Sequence, residues 1–127
     1  MHKSRLSGFI IDCQGAELNG SARFWGGALG MPVHAFPPPE GDTYARLLDT
    51  QRALHIEVQT VEHASRVHLD IETDNIDAEV VRLEALGARR VQQVKSWWVM
   101  EAPTGHRFCV VSARGSPGFE EQASVWP

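Results

Sequence analysis

Val67-His68-Leu69-Asp70-Ile71-Glu72 alternates apolar and polar side chains, the pattern of a strand that turns one face to a core. Downstream, Thr73-Asp74-Asn75 offers N-cap candidates, with Asp77 and Glu79 in the first turn that follows. Ile76, Val80, Leu83 and, slightly off the line, Leu86 then form one apolar stripe, and Gly87 stops the helix. The same phrase occurs earlier in the chain. Gly8-Phe9-Ile10-Ile11-Asp12 lies over His68-Leu69-Asp70-Ile71-Glu72, and Ala28-Leu29-Gly30 over Ala85-Leu86-Gly87. A unit present only twice is too sparse for a solenoid. It predicts two halves of one domain, each a strand-helix-strand-strand-strand unit.

In the first half a strand is predicted over Leu6 to Cys13, a loop at Gln14-Gly15-Ala16, and a helix over Leu18 to Leu29. Leu18, Ala22, Trp25 and Leu29 give that helix its stripe, Gly26-Gly27 lets it approach a sheet, and Gly30 ends it. Phe36-Pro37-Pro38-Pro39-Glu40-Gly41-Asp42 reads as an exposed loop. Strands over Tyr44 to Leu48 and Leu54 to Thr60 follow, then a linker from Glu62 to Ser65. In the second half, strands are predicted at Val91 to Val94, Trp97 to Met100 and Arg107 to Ser112, with a turn at Ala102-Pro103-Thr104-Gly105. The tail after Gly115 is expected to be loose or docked on a neighbour. The expected organisation is one domain over 1–127, with modules at about 5–61 and 66–113 and a tail at 114–127.

At 127 residues, 43% hydrophobic and 22% charged, the chain can bury a real core. A net charge of −4 argues against a nucleic-acid partner. No run approaches a membrane span or a secretory signal. Two cysteines, Cys13 and Cys109, both in strand-like segments, make no disulfide framework, so a reduced cytoplasmic setting is expected. Phosphate loops, nucleophile elbows and metal-binding helix motifs are missing from the sequence, which leaves kinase, hydrolase and zincin readings without support.

Alternation sorts the polar residues. Leu54, Ile56 and Val58 share one strand face and His55, Glu57 and Gln59 the other; Val67, Leu69 and Ile71 oppose His68, Asp70 and Glu72. Such polar faces either meet solvent, as one face of an antiparallel sheet commonly does, or line a cavity. Trp97-Trp98 puts one ring on each face, one for the core and one able to floor a cleft under a flat ligand.

Arg66-Val67-His68-Leu69-Asp70-Ile71, the helix end Leu86-Gly87-Ala88 and the closing Ala102-Pro103-Thr104-Gly105-His106-Arg107-Phe108-Cys109-Val110-Val111 resemble the glyoxalase-like branch of the vicinal oxygen chelate superfamily. So does Phe24-Trp25 with Ala28-Leu29-Gly30 in the first helix. The resemblance spans Arg5 to Ser112 and implies an α+β fold of two βαβββ modules forming curved mixed sheets around a cleft. The superfamily includes glyoxalase I, extradiol dioxygenases, methylmalonyl-CoA epimerase, fosfomycin-modifying enzymes, and bleomycin-binding proteins that do no chemistry. Its metal, which polarises vicinal oxygens, takes ligands from the first and last strand of each module. By that resemblance the positions here are Gly8, Glu57, His68 and Cys109. Only His68 and Glu57 keep the usual ligand types; a divalent metal stays open, but no resident cofactor is expected. The bland reading of Cys109 is a small buried hydrophobe between Phe108 and Val110.

The expectation is a protein that binds a small apolar or aromatic metabolite in the inter-module cleft. It would act as an isomerase or lyase with a degenerate metal site, His68 serving as base, or as a non-catalytic, sequestering protein like the bleomycin-resistance relatives. His55, Glu57, Asp70, Trp97, Trp98, Arg107 and Cys109 are the expected ligand-binding residues. A homodimer is expected, with neither nucleic acid nor membrane as partner.

Overall fold

The structure is a computed structural model that describes residues 1–15 and 17–127, so Ala16 of the loop expected after the first strand lies outside the described residues. The first half runs β1 (His2–Gln14), α1 (Leu18–Leu29), β2 (Val33–Ala35), β3 (Tyr44–Leu48) and β4 (His55–Val61). The second runs β5 (Arg66–Thr73), α2 (Ile76–Ala85), β6 (Arg89–Val94), β7 (Trp97–Glu101) and β8 (Arg107–Ser112), followed by α3 (Phe119–Gln122) and β9 (Ser124–Trp126). The chain is α+β, with the βαβββ order present twice. Two compact units divide it, Gly8–His68 on one side and Met1–Ser7 with Leu69–Pro127 on the other, so the division falls inside β1 and inside β5.

In the unit Gly8–His68 the strand order is β2-β3-β4-β1, with β1 parallel to β4 and the remaining pairs antiparallel. Ile11, Cys13, Leu47, Ile56 and Val58 project to one face and meet Met31, Leu18 and Trp25 in the core beneath α1. Each fully buried aliphatic of this set stabilises the unit by about 1.5–3 kcal/mol. α1 starts where Glu17 accepts from the Asn19 backbone N–H and stops at Gly30, whose φ of 69° is left-handed. The row facing the sheet runs through Ala22 and Gly26, both buried, and not through Leu29, which is exposed. A Cβ on Gly26 would stand 2.8 Å from the Met31 carbonyl oxygen. That close approach turns the predicted fourth stripe residue outward. β2 escaped the sequence reading because it is only three residues long and wholly exposed.

In the other unit the order is β5-β8-β7-β6, again with the first strand parallel to the last. Val80 and Leu83 of α2 pack on Met100, Phe108 and Val110. Asn75 caps α2 by accepting from the Ala78 N–H. Leu86, expected at the margin of the stripe, is exposed, because the helix has ended at Ala85. The tail is not loose and needs no neighbour. Phe119 is buried, β9 pairs antiparallel with the start of β1, and the Trp126 indole N–H donates to Ser4 Oγ at 2.8 Å. The Gly and Ser content of this segment concealed those anchors.

Glu79 also departs from expectation. A charged residue of a helix's first turn, it is nonetheless fully buried. His2 Nε2 donates to it at 2.8 Å, and Arg82 makes a two-pronged contact at 2.8 Å through each nitrogen. The Arg82 guanidinium in turn lies 3.9 Å from the centre of the Trp126 ring. Among the described residues no helix is long and apolar enough to cross a membrane.

Candidate functional site

The face of the Gly8–His68 sheet turned away from α1 is built in three rows, set by strand register. Tyr44, Gln59 and Asp12 form one row, Arg46, Glu57 and Ile10 the next, and Leu48, His55 and Gly8 the third. Gln59 donates to the Tyr44 hydroxyl at 2.9 Å. His55 and Glu57, two apart on β4, join through Nε2 and Oε2 at 2.5 Å. His68 is held by a residue the sequence reading did not select. Its Nδ1 lies 2.7 Å from Oδ2 of Asp12, whose carboxylate is buried. An ionised carboxylate only accepts, so Nδ1 carries the proton and Nε2 is left as the basic nitrogen of the neutral ring. The signal for Asp12 was a carboxylate closing an apolar run, at the place the repeat gives to Glu72; both are buried.

In the second unit, Asp70 pairs in register with Cys109, and Cys109 with Val99. Asp70, Cys109, Arg107 and Trp97 therefore lie on the sheet face opposite α2. Arg107 donates through Nε to Glu101 at 3.1 Å, and Arg89 donates to the other carboxylate oxygen at 2.9 Å. These two guanidinium hydrogen bonds hold the Glu101 carboxyl below its ordinary range. Trp98 takes the other face, against the core under α2, with the Arg90 guanidinium 5.1 Å from its ring centre. It also borders a cavity of about 330 Å³ between the start of α2 and the β6–β7 turn, lined by Asp74, Asp77 and Gln93 among others. Of the residues selected from sequence, only Trp98 reaches that cavity.

The positions that the resemblance gives to a metal do not form a four-donor set. Gly8 offers no side chain, and a Cβ built there would fall 1.9 Å from the His55 carbonyl oxygen. Glu57 directs one oxygen at His55, and Cys109 is a thiol. β5 does carry two ligand-type residues on one face, His68 and Asp70, and Cys109 stands opposite Asp70 on β8. Within its own unit, the Cys109 thiol beside the Asp70 carboxylate differs from the oxygen-rich set of a hard divalent ion.

The model of a family described as a glyoxalase-like domain matches residues 8–111. The chain belongs to the glyoxalase-like family. Among curated proteins no sequence matches this glyoxalase-like chain. Solved structures share its fold. Methylmalonyl-CoA epimerase from Mycobacterium tuberculosis superposes with a TM-score of 0.61 at 16% identity, over 84% of this chain and 86% of that one. A glyoxalase/bleomycin resistance protein/dioxygenase superfamily member from Vibrio splendidus gives 0.55 at 20% identity, over 84% and 98%. A structure described as an NAD-dependent benzaldehyde dehydrogenase from Legionella pneumophila gives 0.61 at 12% identity, over 82% and 97%. At these identities the likeness is one of fold.

Proposed function

We propose that this glyoxalase-like protein binds a small apolar or aromatic carbonyl compound on the polar face of the Gly8–His68 sheet, and that His68 moves a proton next to the carbonyl, as an isomerase or lyase. The bond from His68 to buried Asp12 carries this reading. A carboxylate behind Nδ1 fixes ring orientation and tautomer, and it stabilises the imidazolium that forms when Nε2 takes a proton. The energetic alternative is a purely structural pair, but Asp12 could then have been an apolar residue at lower desolvation cost. An epimerase among the fold neighbours is in keeping with proton transfer at carbon. No step requires the residues at Gly8, Glu57 and Cys109 to hold a metal.

The test is solvent-deuterium incorporation next to the carbonyl, followed by NMR across a panel of small aromatic and aliphatic ketones, aldehydes and 2-oxo acids. Exchange should appear with the unaltered protein, vanish in His68→Ala, and fall by a factor of about 10²–10⁴ in Asp12→Asn. Binding without exchange in the unaltered protein would replace the enzyme by the sequestering reading. We also propose that the protein works as a homodimer, since Leu6 and Leu69 are half exposed.

A further inference from the structure

We propose that Arg46 is a specificity residue that grips a carboxylate, making the ligand of this face a small carboxylic acid; the inference rests on the polar sheet face being the binding face. Arg46 lies on β3, opposite Glu57 on β4 and His34 on β2. Its Nε is buried and has no hydrogen-bond partner among the described residues. Glu57, the carboxylate facing it in register, directs Oε2 at His55 instead. The other arginines with buried or half-buried guanidinium groups have partners: Arg5 donates to Glu72, Arg82 to Glu79, Arg107 to Glu101. Arg46 stands apart from that pattern.

A guanidinium cannot shed its charge at any accessible pH, so its donors need acceptors wherever it is buried. A buried donor without a partner costs about 1–3 kcal/mol. A carboxylate meets a guanidinium fork with two parallel hydrogen bonds, which a single carbonyl oxygen cannot do. The rows of the sheet set the scale. From Arg46 across β4 to β1 is two strand spacings, roughly 10 Å, with Ile10 in the same row on β1 at the far side. Asp12 Oδ1, also buried and without a hydrogen-bond partner among the described residues, lies on that side. A molecule with a carboxylate at one end and a hydroxyl or amide donor toward the other matches both orphaned atoms. Charge selects the acid over its neutral analogues.

The experiment compares matched pairs of probes, benzoate with benzamide and pyruvate with pyruvamide, by protein NMR titration of the whole chain. At least one acid should bind at least tenfold tighter than its amide. Arg46→Gln should abolish that preference and Arg46→Lys should keep part of it. In both variants the melting temperature should be unchanged or higher, because an unsatisfied buried donor has been removed. Equal binding of acid and amide, no binding of any acid, or an acid preference that survives Arg46→Gln would overturn the proposal. If Arg46 proves essential for acid binding while no compound shows His68-dependent exchange, this inference stands and the enzymatic reading fails.

Discussion

At the scale of single residues, the most consequential side chains are the polar ones placed out of water. Glu79 shows how the balance is struck. Burial by itself raises its carboxyl, yet the hydrogen bonds from Arg82, His2 and Ser4 outweigh it and hold the group below its ordinary value of 4.5. The sign of the linkage follows. A carboxyl depressed on folding contributes stability that is fully present above that ordinary value and is lost as pH falls through the lower, folded-state value. Urea denaturation should therefore show stability declining below about pH 4.5, and Glu79→Gln should flatten that acid limb. Glu79→Ala should cost about 3–5 kcal/mol at neutral pH, since it strands Arg82 and His2. A Glu79→Ala protein as stable as the parent would mean that the cluster is not cooperative.

At the scale of elements, α1 separates two adjacent glycines by what lies beyond them. Gly26 faces the Met31 carbonyl and the Val33 side chain, whereas a Cβ on Gly27 meets nothing within 4 Å. Gly27→Ala should stabilise the protein by about 0.5–1 kcal/mol through helix propensity alone. Gly26→Ala should destabilise it, because the helix must lift from the sheet. Equal effects of the two substitutions in thermal melts would refute the packing of α1. The same helix marks what was legible in the sequence. Its span and its stop at Gly30 could be read, as could α2 from Asn75 onward and the alternation of β4 and β5, because period and capping are local. Leu18, Ala22 and Trp25 of its buried row could be read too, but not that the row continues through Gly26 and leaves Leu29 exposed, since a glycine's contact is decided by its neighbours in space. Nor could the bond between His68 and Asp12, which lies 56 positions away and on another strand. Arg46 gave no sequence signal at all, an arginine in a short strand being ordinary until its surroundings are known.

At the scale of the molecule, exposed apolar surface on β1 and β5 bears on assembly. Leu6 is 50% and Leu69 51% exposed, apolar strand surface that a second copy of the chain would cover in a dimer. Sedimentation should find a dimer at micromolar concentration, and Leu69→Asp should shift it toward monomer without unfolding. Monomer only, in the parent protein, would remove the proposal of a dimer. The pairing of β9 with the opening of β1 has a temporal meaning as well. His2, Lys3 and Ser4 find their partners in Trp126, Val125 and Ser124, so residues made early wait for residues made more than a hundred positions later. Gly8–His68, by contrast, contains the pairs β2–β3, β3–β4 and β4–β1 within itself, and these can form while synthesis is still under way. The chain is thereby ordered in birth as well as in space: one unit can mature on the nascent polypeptide, and the other is sealed only after residue 126 has been translated.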